Sequence, residues 1–128
     1  MTLLLDSHTA LWVLDDNPRL GDTARSLVTS AAEVYVSAAT IWELTIKSML
    51  GKLDVPANLA HVVAAQGLGI LDVTGQHAEQ LRAFPELVRH DPFDRLITAQ
   101  AHCEQLRLLT ADSVLLALDR EFITDSRR

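Results

Sequence analysis

The chain has 128 residues, enough for one domain whose single core buries roughly two thirds of the surface of the unfolded chain. With 48% hydrophobic and 22% charged residues it is neither disordered nor membrane-spanning, because its apolar runs stop far short of the ~20 residues that a bilayer requires. The net charge of −6 argues against a protein that coats nucleic acid nonspecifically, since neutralising phosphates requires clustered Lys and Arg, but it does not exclude a nuclease. We therefore expect a single domain over residues 1–128 and, because the chain opens on MTLLLD without a basic leader, a cytoplasmic location.

Short apolar runs alternate with helical patterns along the whole chain. In the first half, periodicity and helix breakers predict a strand over 3–5, a helix that continues to 14, and a turn over 15–18. They then predict a helix capped by Asp22, a strand over 34–37, and a helix over 39–50 that ends at Gly51. In the second half they predict a helix opened by Pro56 and ended by Gly67 and Gly69, followed by a strand over 70–73. Helical sequence resumes at 76, is interrupted by Pro85, and continues in a longer helix from Pro92. A strand over 106–110, a short helix around Leu115 and a fifth strand over 122–124 complete the pattern.

This alternation predicts an α/β fold with a central parallel sheet of four to five strands, because parallel strands need crossover connections and helices supply them on both faces. The expected architecture is a three-layer α/β/α sandwich. In such sheets the functional crevice lies beyond the carboxyl ends of the strands. Asp6 directly follows the first strand and Asp112 comes two residues after the fourth, so both should face the same edge.

Two further acids, Asp91 and Asp94, lie at the start of the helix that Pro92 opens. Asp91 fits the N-cap, Pro92 fits the first helical position, and Asp94 lies in the first turn, where the helix dipole stabilises a negative charge. We therefore interpret Asp91 as the cap and Asp94 as a metal ligand. Helix capping is the competing interpretation for Asp6 and Asp112 as well.

Glu43 has a different competing interpretation, a surface pair with Lys47 four residues later that contributes only a few tenths of a kcal/mol. Its apolar neighbours Trp42 and Leu44 argue against full exposure. The hydroxyls of Thr110 and Ser37, which end strands, could orient a carboxylate or a metal-bound water, although buried hydroxyls more commonly bond to the backbone.

A pocket made of Asp6, Glu43, Asp94 and Asp112 offers only hard oxygen ligands, which suit Mg²⁺ and also Mn²⁺. Such ions bind phosphate oxygens beside carboxylates, an arrangement that cleaves phosphodiesters. The five histidines are scattered, and none has a spacing that requires a metal.

Several short motifs, in this order and spacing, resemble the PIN-domain ribonucleases, and in particular the VapC-type toxins of toxin-antitoxin systems. They are LLDSH at 4–8 followed by LW at 11–12, VS at 36–37 with WE at 42–43, DPFDRL at 91–96 and LTAD at 109–112. Ser7 stands where the family more often has threonine.

The resemblance implies a helix-covered parallel sheet, Mg²⁺-dependent endoribonuclease activity, neutralisation by a small cognate antitoxin, and a homodimer. By matching position, Asp6 and Asp94 would be the principal metal ligands, Glu43 and Asp112 would complete the site, and Thr110 would support it. Our mechanistic hypothesis is in-line attack of a metal-activated water on a backbone phosphate of structured RNA, with the carboxylates holding the metal. Transfer RNA and ribosomal RNA both remain open as substrates.

Two alternatives remain at this point. A phosphoacceptor receiver domain has a similar length and alternation, and Asp72 in the third strand could imitate its acceptor; against it, the chain has only Lys47 and Lys52 and so lacks the lysine that receivers place after the fifth strand. The other is a catalytically silent interaction module whose acids cap helices or bind a basic partner.

Overall fold

A computed structural model describes all 128 residues and contains a five-stranded, fully parallel sheet. The strands are β1 (Thr2–Leu5), β2 (Glu33–Ser37), β3 (Gly69–Leu71), β4 (Arg107–Thr110) and β5 (Ile123–Asp125). Their order in the sheet is β3-β2-β1-β4-β5, so β1 is central and pairs with β2 through Leu5 and Val36 and with β4 through Leu5 and Leu109. The carboxyl ends of β1 and β4 therefore lie side by side.

Seven helices connect and cover the strands. They are α1 (Ser7–Leu14), α2 (Asp22–Ser30), α3 (Ala38–Met49), α4 (Leu59–Ala65), α5 (Gly75–Glu79), α6 (Pro92–Glu104) and α7 (Ser113–Leu116). Two short 3-10 turns, Gln80–Ala83 and Pro85–Leu87, lie between α5 and α6. None of these helices combines the length and the apolar character that crossing a membrane would require.

The central strand explains why the fold has three layers. Leu3, Leu4 and Leu5 are all fully buried, which requires cover on both faces of the sheet. Because successive strand residues point to opposite faces, Leu3 and Leu5 pack in one core with Ala24 of α2, while Leu4 packs in a second core with Ile97 of α6. The predicted three-layer α/β/α class is thereby confirmed, with five strands.

The boundaries differ from prediction in places where one local signal was given too much weight. The helix predicted to open at Pro56 begins instead at Leu59, the first residue of that stretch to be buried. Asp22 is the first residue of α2 and Gly21 is its N-cap. Gly67 does end α4 with a left-handed backbone (φ +82°), whereas Gly69 begins β3. At Leu59, tertiary burial rather than the preference of proline sets the start of the helix.

The strand order also excludes the receiver alternative. Receiver domains belong to the doubly wound sheets with strand order 2-1-3-4-5, in which the first strand is flanked by the second and third. Here β1 is flanked by β2 and β4, and β3 is an edge strand. Asp72 lies just beyond β3 and is exposed. The receiver interpretation is therefore wrong.

Candidate active site

Asp6 is both a helix cap and a buried site residue. Its backbone N–H donates to the Leu109 carbonyl of β4 (3.0 Å), and its Oδ1 accepts from the Thr9 N–H (2.8 Å) at the start of α1. Only 3% of Asp6 is exposed. Burial raises the pKa of Asp6, although hydrogen bonds from Thr110 and Thr9 oppose that rise.

The Thr110 hydroxyl connects two of the predicted acids. It donates to Asp6 Oδ2 and accepts from the Asp112 backbone N–H (3.0 Å). Asp112 in turn caps α7, because its Oδ1 accepts from the backbone N–H groups of Val114 (2.8 Å) and Leu115 (3.0 Å). For Asp112, capping and pocket placement are thus compatible, since each uses a different carboxylate oxygen.

Glu43 is buried, contrary to the surface-pair interpretation. The predicted contact with Lys47 exists (Nζ to Oε2, 2.7 Å), but Glu43 is only 5% exposed. The hydroxyl of Ser7, at the start of α1, donates to its Oε1. Sequence reasoning missed this role of Ser7. The available signal was its place directly after Asp6, where the first turn of α1 can reach α3.

The DPFD segment behaves as predicted at the backbone. Asp91 Oδ1 accepts from the N–H groups of Phe93 (2.9 Å) and Asp94 (3.1 Å), which leaves the Asp94 side chain free. That side chain lies beside the ring of His90, with Nε2 3.2 Å from Asp94 Oδ2 and 3.4 Å from Asp112 Oδ2. Sequence reasoning missed His90; the signal was its position four residues before Asp94.

The four predicted carboxylates lie at the carboxyl edge of the sheet, with Asp6, Glu43 and Asp112 all close enough to act on the charge of Asp94, and we call this group the acidic pocket. Burial, and after it the negative charges of Asp112, Asp91, Asp6 and Glu43 in that order, together raise the pKa of Asp94 to about 8. The acidic pocket therefore holds more negative charge than its protein partners, Lys47 and His90, offset.

Ser37 occupies a different position from these residues. It is fully buried at the end of β2, and its hydroxyl accepts from the Ala39 N–H (3.0 Å), which caps α3. It makes no hydrogen bond to a carboxylate. Its visible role is to start the helix that carries Glu43.

An aromatic pair joins the two helices that carry Glu43 and Asp94. Trp42 precedes Glu43 on α3, Phe93 precedes Asp94 on α6, and the two rings meet edge to face with centroids 5.2 Å apart. Trp42 is 62% exposed despite its size. The exposed indole is therefore a flat apolar surface on the helix that carries Glu43, in contact with the helix that carries Asp94.

The Thr110 hydroxyl should contribute measurably to stability. We expect Thr110→Val to lower the free energy of unfolding by about 1–3 kcal/mol, because it leaves Asp6 Oδ2 and the Asp112 N–H without a partner. Thr40→Val is the matched control, since Thr40 is equally buried but its hydroxyl has no hydrogen-bond partner. Urea denaturation measures both; equal losses in the two variants would contradict this role for Thr110.

Comparison with known proteins identifies the family to which the chain belongs. The PIN domain family model matches residues 3–121. Ribonuclease VapC22 of Mycobacterium tuberculosis is 32% identical over 113 residues, which are 87% of each chain. Among solved structures, a toxin-antitoxin complex from Klebsiella pneumoniae superposes with a TM-score of 0.66 at 16% identity, covering 97% of both chains.

VapBC2 from Rickettsia felis, solved bound to a promoter DNA fragment, also superposes with a TM-score of 0.66, at 14% identity and 98% coverage of both chains. These structural likenesses support the fold, and the family match and the VapC22 identity extend over most of the sequence. The chain therefore belongs to the PIN-domain family and is a relative of the VapC ribonucleases.

Proposed function

We propose that the protein is a Mg²⁺-dependent endoribonuclease and the toxin of a toxin-antitoxin pair. The observation that carries this proposal is the acidic pocket, in which Asp6, Glu43, Asp94 and Asp112 bring their charges together at the carboxyl edge of the sheet. The 32% identity to Ribonuclease VapC22 supports the choice of RNA as substrate.

The donor set fits a divalent cation of the hard type. Asp6, Glu43, Asp94 and Asp112 supply only carboxylate oxygens, the ligands that Mg²⁺ and Mn²⁺ accept. Burial and the neighbouring carboxylates both disfavour the charged form of Asp94 and raise its pKa, and a bound cation would offset that cost. When bound, such an ion activates water as a nucleophile and offsets charge on the phosphate.

The residues around the carboxylates hold them in place for this role. Thr110 fixes Asp6, Ser7 and Lys47 fix the two oxygens of Glu43, and the backbone of α7 fixes one oxygen of Asp112. Asp94 has no such partner among backbone N–H groups, so its carboxylate is free to bind a cation. We propose Thr110, together with Ser7, as the supporting residues; Ser37 would act only through its cap on α3.

The exposed Trp42 indole favours an unpaired stretch of a folded RNA, either transfer or ribosomal. Unpaired bases stack on aromatic side chains, and each such contact contributes about 1–3 kcal/mol. We expect Trp42→Ala to raise KM for RNA about 5- to 100-fold with a smaller change in kcat. Trp42→Phe keeps an aromatic ring, so its KM should stay close to that of the unaltered protein. Steady-state cleavage kinetics measure both; Trp42→Ala kinetics equal to those of the unaltered protein would contradict stacking.

A protein partner is also part of the proposal. The solved structures that superpose on this chain include toxin-antitoxin complexes, and we propose a cognate antitoxin that restrains the nuclease in the cytoplasm. We further propose a homodimer. Mass measurement in solution, with and without the co-expressed antitoxin, tests both assemblies.

The activity itself is tested by incubating the purified, antitoxin-free protein with total cellular RNA, with Mg²⁺ or with a chelator, and sequencing the new RNA ends. Discrete ends that require Mg²⁺ would support the nuclease and identify its substrate. No cleavage by a folded protein that binds Mg²⁺ would instead favour the silent interaction module.

A further inference from the structure

We infer that His90 is a nitrogen ligand of the divalent-cation site, and that it increases the affinity of the site for a transition-metal dication such as Mn²⁺ more than for Mg²⁺. The inference rests on the proposed function, since it requires that the acidic pocket bind a cation. It adds a donor of a different chemical kind to the four carboxylates.

The spacing of the donor atoms supports this assignment. His90 Nε2 lies 3.2 Å from Asp94 Oδ2 and 3.4 Å from Asp112 Oδ2, and the donor atoms of these three residues all lie within 4.8 Å of one another. Neighbouring ligands of an octahedral ion with bonds of about 2.1 Å are about 3.0 Å apart. The nitrogen therefore already has nearly the separation from both oxygens that shared coordination requires.

An ordinary ion pair explains the His90 contacts less well. Nε2 is buried, yet neither carboxylate oxygen is aligned with it as a hydrogen-bond partner, despite the short separations. A buried ring nitrogen without an aligned partner is costly unless something else satisfies it. A cation held jointly with Asp94 and Asp112 would use the nitrogen lone pair directly.

Contacts on both sides fix the backbone of His90. The backbone N–H of His90 donates to the Leu87 carbonyl (2.9 Å) at the end of the second 3-10 turn, and the next residue, Asp91, caps α6. The side chain is only 21% exposed. The backbone from which the ring projects is thus fixed on both sides, next to the cap that places Asp94.

The nitrogen donor has a consequence for metal choice. Mg²⁺ strongly prefers oxygen ligands, whereas imidazole increases affinity for first-row transition metals. Carboxylates alone would bind Mg²⁺ and Mn²⁺ with little discrimination by ligand type. Adding His90 to them should increase affinity for Mn²⁺ more than for Mg²⁺.

Pulsed electron paramagnetic resonance of Mn²⁺ bound to the full-length, antitoxin-free protein tests the ligand directly. We expect coupling to a histidine ¹⁴N that changes to the ¹⁵N pattern when histidine alone is ¹⁵N-labelled. His90→Gln should lose that coupling and reduce the ratio of Mn²⁺ to Mg²⁺ affinity by about tenfold or more, the scale of losses around metal sites. His8→Gln is the matched control, because His8 is exposed and close enough to Asp6 to influence its charge.

The possible outcomes separate this inference from the proposed function. Mn²⁺ that binds in an Asp94-dependent manner without nitrogen coupling would overturn the role of His90 and leave the cation site intact. Coupling that His8→Gln removes and His90→Gln retains would also overturn it. No Mn²⁺ or Mg²⁺ binding by the folded protein would overturn the cation site itself. Because the coupling is measured first on the unaltered protein, the test does not depend on how well a variant folds.

Discussion

Replacing Asp94 with asparagine should reduce Mg²⁺-dependent RNA cleavage by about 10²-fold or more, the scale on which single charge-stabilising groups act in active sites. Asparagine keeps the shape of the side chain but removes the charge that faces His90 and Asp112. The fold should persist, because the backbone of Asp94 continues to donate to Asp91 and to accept from the Thr98 hydroxyl. Cleavage rates and circular dichroism of the purified variant measure the two effects separately.

Asp91→Asn is the matched control for this experiment. It makes the same chemical change three residues away and also removes one negative charge near the pocket. Asparagine caps helices as well as aspartate does, so α6 should start normally and cleavage should stay close to that of the unaltered protein. Equal loss in both variants would mean that total charge matters rather than Asp94, and full activity of Asp94→Asn would contradict its proposed role.

Local rules were enough to identify much of this molecule from its sequence. Asp91 and Pro92 fit cap and first-turn preferences that act within one helical turn, so their placement was predictable. The buried strand over Leu3–Leu5 was equally predictable, because an uninterrupted apolar run in an α/β pattern implies cover on both faces. From these, the sheet edge that gathers Asp6 and Asp112 followed.

The features that sequence reasoning missed depend on contacts between distant parts of the chain. Sequence reasoning assigned Glu43 to the site but left a surface pair with Lys47 as the competing interpretation, because only the complete fold brings Ser7, 36 residues away, to its carboxylate. His90 was passed over because its spacing in the sequence did not require a metal, and only the complete fold brings Asp112 to its ring. A local pattern can predict where a side chain lies on a helix. Its burial and its distant partners can be predicted only when the complete fold is known.

The charge of the acidic pocket should make the metal-free protein less stable as pH rises. The pKa of Asp94 is raised from 3.8 to about 8 in the folded protein, so between these values the folded state binds more protons than the unfolded state does. Under that condition the free energy of unfolding falls with increasing pH, and the contribution of Asp94 is greatest at low pH and lost as pH approaches about 8. The raised pKa of Asp6 acts in the same direction.

Asp94→Asn should therefore be at least as stable as the unaltered protein at about pH 9 without metal, and its stability should fall less between about pH 5 and about pH 9. Mg²⁺ should stabilise the unaltered protein at the high-pH end, because a ligand that binds only the folded state shifts the equilibrium toward it, and should stabilise Asp94→Asn less. Thermal unfolding of both proteins across this range, with Mg²⁺ or with a chelator, measures these differences. Parallel pH profiles would contradict the raised pKa of Asp94. Equal stabilisation of the two proteins by Mg²⁺ would show that the Asp94 carboxylate does not bind the cation. The outcome expected here would mean that the pocket's charge, which costs the metal-free protein stability, is the same feature that binds its cation.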